Sequence, residues 1–384
     1  MTSICSLRSA CCSALLAMSC SDTVEPPEPP PEPRTCHLPK DDRRIVDLEA
    51  YPWDAWFGLR ADGTIVRWSS FGFTEFDAAA AGDEPCITSL DADGALGGTS
   101  YQRSATMIDY VIRGYDDLAF PHTFDLTGSR EAVAVLGTSD FTILDDQSTA
   151  WIFWQDRAPD GTTGHQRLEA VSLPGPVVQM AGDDGTCFLL EDGQVYCVDN
   201  IDYPESKYGL GDAPPPDHIF KIPVEEVVYL AVGVFHLCVI TGAGDTLCAG
   251  SGGVGELGVP NEELPPSLKR STFEPVPDIP ELDRIWLRSG STCGVSSEGE
   301  LWCWGLEVER PTPNEDVMPP TLVGVFPGLL DVALSDTSTC VLRADHRVVC
   351  RGTLPDYLAC GEEDGWYVMG IDGCNPPNPP GGDR

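Results

Sequence analysis

The sequence predicts an all-β chain assembled from one repeated, disulfide-stapled hairpin. Three observations carry this. Four cysteine pairs, Cys187/Cys197, Cys238/Cys248, Cys293/Cys303 and Cys340/Cys350, recur at one fixed spacing. Each pair brackets a turn-like centre flanked by alternating apolar residues. Degenerate copies of the same unit stand upstream.

The first unit defines the hairpin. A three-residue loop takes a type I turn and then a residue of positive φ, which Glu191, Asp192 and Gly193 supply. Leu190 then faces Gln194, Leu189 faces Val195, and Cys187 faces Cys197. Alternation puts Leu189, Val195 and both cysteines on one face of the sheet. Directly opposed cysteines in a non-hydrogen-bonded pair have Cα atoms roughly 4.5 Å apart, within disulfide reach. Gly244 and Gly299 repeat the loop glycine, and His346 replaces it, which demands either positive φ of a non-glycine residue or a different loop. Ile240, Val295 and Leu342 repeat Leu189. Leu301 and Val348 repeat Val195, where Thr246 is the exception.

Upstream, Phe57 to Trp68 repeats the pattern without cysteine, with Gly63 in the turn and Leu59 and Ile65 on the inner face. A looser copy runs from Phe141 through Ile143 and Asp146 to Trp151–Trp154. One degenerate unit is placed within 86–114, around Met107–Ile112 and an Asp93-Gly94 turn. Whether 69–140 forms one regular blade stays open. The anchors give about seven units with a period of about 45–55 residues, which argues for a seven-bladed β-propeller.

Gly233-x-x-His236-x-Cys238-x-Ile240, Gly244, Leu247-Cys248-x-Gly250 and Gly255-Glu256-Leu257-Gly258 together resemble the regulator of chromosome condensation repeat. Cys293 through Cys303-Trp304-Gly305 and Gly209-Leu210-Gly211 match further pieces. The two-cysteine form resembles the variant in secreted bacterial proteins. The resemblance covers about 180–355 well and 50–180 poorly, and it implies a seven-bladed propeller. Secreted relatives of that fold include a β-lactamase inhibitor, so the resemblance implies a scaffold suited to protein binding. The nucleotide-exchange loop of the eukaryotic namesake matches no position here, and a fold does not dictate a function.

The chain carries a formal charge of −38 over 384 residues, with 42% hydrophobic residues. Such a surface repels nucleic-acid phosphates and anionic lipid. It points to solubility or a saline habitat, or else to a basic protein partner or weak surface Ca²⁺ binding. Sixteen cysteines in this pattern suggest an oxidising compartment. Residues 1–19 read as a lipoprotein-type signal peptide: Arg8, a short apolar run, then Leu15-Leu-Ala-Met-Ser before Cys20, the lipidation site. Ala17 stands where leucine is preferred, and ordinary secretion is the alternative. Residues 20–35 form a Pro/Glu-rich, semi-rigid tether. The propeller is expected over 36–358 and a Cys-containing Pro/Gly-rich tail over 359–384. The protein is read as a cell-envelope, outer-membrane lipoprotein facing the surface or the periplasm.

Cys36, Cys86, Cys360 and Cys374 allow two more bridges in three connectivities. Cys360–Cys374 with Cys36–Cys86 is the local choice, and Cys36 stapling the N-terminal strand to the last blade is the other. Zinc sites place ligands two to four residues apart, unlike these pairs. No histidine pair shows metal-ligand spacing, and His236 is read as packing and hydrogen bonding. Gly250–Gly255 is read as an inter-strand loop, and Asp91-x-x-Gly94 is only a fragment of a Ca²⁺ loop. P-loop, H-E-x-x-H and G-x-S-x-G signatures are absent from the sequence. The expectation is a monomeric, non-enzymatic propeller without cofactor, metal or nucleic acid, binding a protein or glycan partner and held to a membrane by its lipid alone. The alternatives are a polysaccharide-directed enzyme with converging carboxylates at the propeller mouth, and a structural surface component without a ligand.

Overall fold

The computed structural model describes residues 42–370, less several connecting segments, of which 77–90, 199–218 and 307–317 are the longest. In the strands lying within 72–136 and 153–167 the backbone is described and, Ala134 apart, the side chains are not. Cys20, Cys36, Cys86, Cys374, Gly63, Gly94 and Gly209–Gly211 lie outside the described residues, as do segments 1–19 and 20–35.

Among the described residues the strands form seven antiparallel sheets, six of four strands and one of five. In chain order they span 45–76, 91–125, 132–170, 177–221, 227–275, 284–325 and 331–369. The first six are meanders of consecutive strands. The strands Val177–Gly182, Val227–Val232, Arg284–Arg288 and Asp331–Leu334 open the last four sheets, and each touches the next. Asp331–Leu334 packs on Ile45–Tyr51, which opens the first sheet and closes the cycle.

The hairpins adopt the register their sequences dictate. Leu189 pairs with Val195 and Cys187 with Cys197. Gly193, Gly244, Gly299 and His346 hold φ of 78°, 88°, 82° and 62°. The four cysteine pairs are disulfides with Cα separations of 4.0–4.2 Å, closer than the roughly 4.5 Å of a relaxed pair. Phe57 faces Arg67 at the cysteine position of the first sheet, and the guanidinium lies over the ring at 5.9 Å. In the last three cysteine hairpins a second glycine stands two residues after the closing cysteine. Gly250 and Gly305 hold φ of 114° and 98°, and a Cβ would come 2.5 Å from Phe235 O and 2.3 Å from Gly290 O. This is the physical content of the Cys-x-Gly motif.

The core lies between sheets. Cys187 and Cys197 pack with Val227, Leu230 and Val239 of the fifth sheet. Cys238 and Cys248 pack with Ile285 and Trp304 of the sixth, and Cys293 and Cys303 with Val332 and Val341 of the seventh. Cys340 and Cys350 pack with Leu48, Trp56 and Trp68 of the first. Each disulfide thus stiffens a hairpin on the face it presents to the next sheet. Trp302 and Cys303 point to opposite faces, as alternation requires.

The end of the last sheet corrects the expected boundary at 358. Ala359–Glu363 and Trp366–Met369 form a hairpin, and its second strand pairs with Val348–Gly352. Asp364 and Gly365 both have positive φ, 52° and 80°, as a two-residue type I′ turn demands. The Asp-Gly turn signal was present in the sequence and outranks the surrounding charge. Among the described residues, ring closure uses side chains, with no N-terminal strand added to the last sheet. Trp68 Nε1 donates to Gly370 O at 3.0 Å within the core. His346 Nδ1 lies 2.7 Å from Ile45 O. Arg44 donates toward His346 Nε2, so Nδ1 carries the proton.

Candidate functional site

The strands opening the first, fourth and fifth sheets share an irregularity at their first residues. Val177 pairs with Leu190 and Gln179 with Leu189, so Val178 bulges out. The same bulge frees Val228 between Val227 and Tyr229, and Val46 between Ile45 and Asp47. In the seventh sheet Leu329 is buried, Leu330 exposed, and Asp331 pairs with Leu342. A bulge makes two residues oppose one and turns the extra side chain out of the ladder. Val46, Val178, Val228 and Leu330 are accordingly 42%, 55%, 60% and 37% exposed, at one equivalent position of four sheets. In the sixth sheet Asp283 takes that place, exposed, after buried Leu282.

The residue that follows is polar, and Gln179, Arg284 and Asp331 bridge to neighbouring sheets. Gln179 donates Nε2 to Leu230 O at 2.9 Å and accepts Leu230 N–H at 3.0 Å. Arg284 donates to Leu330 O and Leu329 O and stacks on Trp286 at 5.0 Å. Asp331 Oδ1 accepts Trp286 Nε1–H at 2.9 Å and Val332 N–H at 2.8 Å, and Oδ2 accepts Leu48 N–H at 3.3 Å. Burial first, then the neighbouring charge of Asp47, pushes the Asp331 carboxyl up to about 7. Tyr229 fills the equivalent place in the fifth sheet, and burial pushes its hydroxyl up to about 12. The positions Asp47, Gln179, Tyr229, Arg284 and Asp331 therefore form a polar layer beneath an apolar rim. Sequence reading missed this layer because the bulge shifts the alternation by one residue. The signal was present as a repeated apolar–apolar–polar step: Ile45-Val46-Asp47, Val177-Val178-Gln179, Val227-Val228-Tyr229, Leu329-Leu330-Asp331.

His236 packs and hydrogen-bonds, as its sequence setting suggests. It is fully buried, and its Nε2 sits 2.8 Å from Thr292 Oγ1. Thr292 donates to Glu256 O, so it accepts from Nε2–H, and Nδ1 has no partner. Trp304 Nε1 donates to the same Glu256 carbonyl at 2.9 Å. Burial pushes His236 down to about 3. Gly250 and Ser251 end the strand Thr246–Ser251, and the connection to Lys269–Pro275 starts at Gly252, two residues later than the loop expected over Gly250–Gly255. Cys360 is disulfide-bonded. Among the described residues no group of three or more potential ligands could hold a metal, and no helix is long and apolar enough to cross a membrane.

A cleft of about 480 Å³ opens between the sixth and seventh sheets. Phe326 and Trp366 meet edge-to-face there at 5.0 Å. Of the charged residues on its wall, Arg343 pairs with both Asp345 and Glu363.

No known sequence family and no curated protein matches this chain. Solved structures do. The chain is similar to yeast RCC1 (Prp20), solved bound to Kap60, at 16% identity over 82% of this chain and 71% of that one, TM-score 0.52. A second structure of that Saccharomyces cerevisiae protein, studied with its binding to Gsp1p and histones, matches at 15% identity over 86% of this chain and 78% of that one, TM-score 0.53. Human WBSCR16 aligns at 13% identity over 73% of this chain and 79% of that one, TM-score 0.57. The CRINKLY ectodomain of the Arabidopsis thaliana receptor kinase ACR4 aligns at 17% identity over 85% of this chain and 99% of that one, TM-score 0.51. The fold is an RCC1-like propeller. At these identities the likeness speaks for fold alone.

Proposed function

We propose that this protein is an exported, lipid-anchored, seven-bladed propeller that binds a macromolecular partner through the bulged face of its ring. One observation carries the reading: four apolar side chains stand exposed at one equivalent position, where a folding-only surface has no reason to repeat them. The four disulfides fit an oxidising compartment, and the leader with Cys20 and the tether supply the anchor. Proteins of this fold that bind other proteins, such as Prp20p with Kap60, support the scaffold's suitability.

The test places a photo-crosslinking residue at Val228 and, as control, at exposed Ser271. A discrete crosslinked partner at Val228 alone supports the reading, and equal patterns at both sites sink it. Cys20→Ser, followed by a lipid-labelling assay, tests the anchor. A second reading, the polysaccharide-directed enzyme, draws on Asp47 and Asp331. Three hydrogen bonds already hold the Asp331 oxygens to the scaffold, which favours binding over acid catalysis.

A further inference from the structure

We infer that the bulged face receives a basic, apolar-flanked protein segment, its apolar side chains on Val46, Val178, Val228 and Leu330 and a lysine or arginine over the acids Asp47 and Asp331. This rests on the binding face proposed above and names the chemistry of its partner.

The rim supplies desolvation and little else. A polar layer beneath it supplies the sign of charge. Two carboxyl groups, from the first and seventh sheets, meet at one donor: Leu48 N–H lies 3.1 Å from Asp47 Oδ1 and 3.3 Å from Asp331 Oδ2, and the charge of Asp47 opposes ionisation of Asp331. Neutral donors hold Asp331: an indole N–H and two backbone N–H groups. An arriving ammonium or guanidinium relieves this like-charge tension, whereas a carboxylate worsens it. Arg284 faces the same layer, but its guanidinium is committed to two carbonyls and to the Trp286 ring.

The surround has the same sign. The hairpin loops and strand starts at this end expose Glu191, Asp192, Glu226, Asp245, Asp283 and Glu298. Nearby cations are occupied: Arg44 by Asp42, and Arg343 and Arg347 by Glu363 and Asp345. With a whole-chain charge of −38, a basic segment is steered in and an acidic one repelled.

The experiment uses the full-length, oxidised protein in detergent and three short synthetic peptides: lysine–leucine, glutamate–leucine and lysine–serine. Binding is read by fluorescence anisotropy at low and high salt. The expected result is one saturable site for the lysine–leucine peptide, with the lysine–serine peptide at least tenfold weaker. Val178→Ser with Val228→Ser, and separately Asp283→Lys, each weaken that site at least tenfold. These residues are exposed, so unchanged melting confirms that folding is intact. Asp331→Asn weakens it at least threefold, with near-ultraviolet circular dichroism reporting the fold. Equal binding of both lysine peptides, at many equivalents and indifferent to the valine changes, overturns the inference in favour of a diffuse acidic surface. Preference for the glutamate–leucine peptide at the rim overturns the charge argument and leaves the binding face standing. No binding by any peptide overturns the inference, and the Val228 crosslink then judges the binding face alone.

Discussion

Reducing the four hairpin disulfides should unfold this propeller, and the size of the effect follows from the structure. Each bridge closes a loop of sequence separation 10. Chain-entropy reasoning gives about 2.7 kcal/mol per bridge for a loop of that length. Four independent loops sum to about 11 kcal/mol, comparable with the roughly 5–15 kcal/mol total stability of an ordinary domain. All eight cysteines lie in the inter-sheet core, so the loss is transmitted to every neighbour interface they line. The assay is urea unfolding followed by tryptophan fluorescence, with and without reductant, beside a Cys238→Ala/Cys248→Ala variant. We expect that variant to lose about 3 kcal/mol, with truncation at the buried sulfurs adding to the entropic loss. Full reduction should abolish the native baseline at neutral pH. If the reduced protein unfolds at the same midpoint as the oxidised one, the staples add nothing beyond the turns and the packing. The inference of an oxidising compartment from stability would then fail with them.

Two pH effects of opposite sign should be separable. His236 is held down to about 3 against a usual value near 6.5, so its neutral form stabilises the fold. That contribution is complete above about pH 6.5 and is lost as pH falls toward 3. It is on the order of 5 kcal/mol, and His236→Leu should flatten the acid limb of urea midpoints. Asp331 is raised to about 7, so its protonated form is favoured; that stability is complete below about pH 4 and lost as pH rises through 7. Asp331→Asn should therefore gain on the wild type at pH 8 relative to pH 5, as calorimetric melting will read. Gly305→Ala forces a Cβ to 2.3 Å from Gly290 O at φ of 98° and should cost at least about 2 kcal/mol. Trp68→Phe leaves the buried Gly370 carbonyl without its indole donor. A loss of about 1–3 kcal/mol is expected, and hydrogen exchange should show it concentrated at the seam of the first and seventh sheets.

How much was legible depended on whether the cause was local. Cys187 and Cys197 face each other because a three-residue turn and a period of two leave no other register, and Gly193 satisfies the turn. His346 could be marked as strained from its place in the repeat, and its φ of 62° agrees. Its bond to Ile45 O could not be, because that bond spans 301 residues of sequence. The final hairpin fell within the stretch read as a Pro/Gly-rich tail, although Asp364-Gly365 is a strong turn signal.

The repeat period, turn chemistry and cysteine spacing are short-range properties, and they determined the blade unit and its staples from sequence alone. The proposed binding face is a property of the closed ring. Val46, Val178, Val228 and Leu330 are ordinary core-type residues in a linear reading. A bulge at the start of the first, fourth and fifth sheets turns the three valines outward, Leu330 stands just ahead of its strand, and only the closure of the first sheet on the seventh brings Asp47 to Asp331. Tertiary structure decided the site because both exposure and charge coupling there depend on where neighbouring sheets stand, which no local pattern encodes.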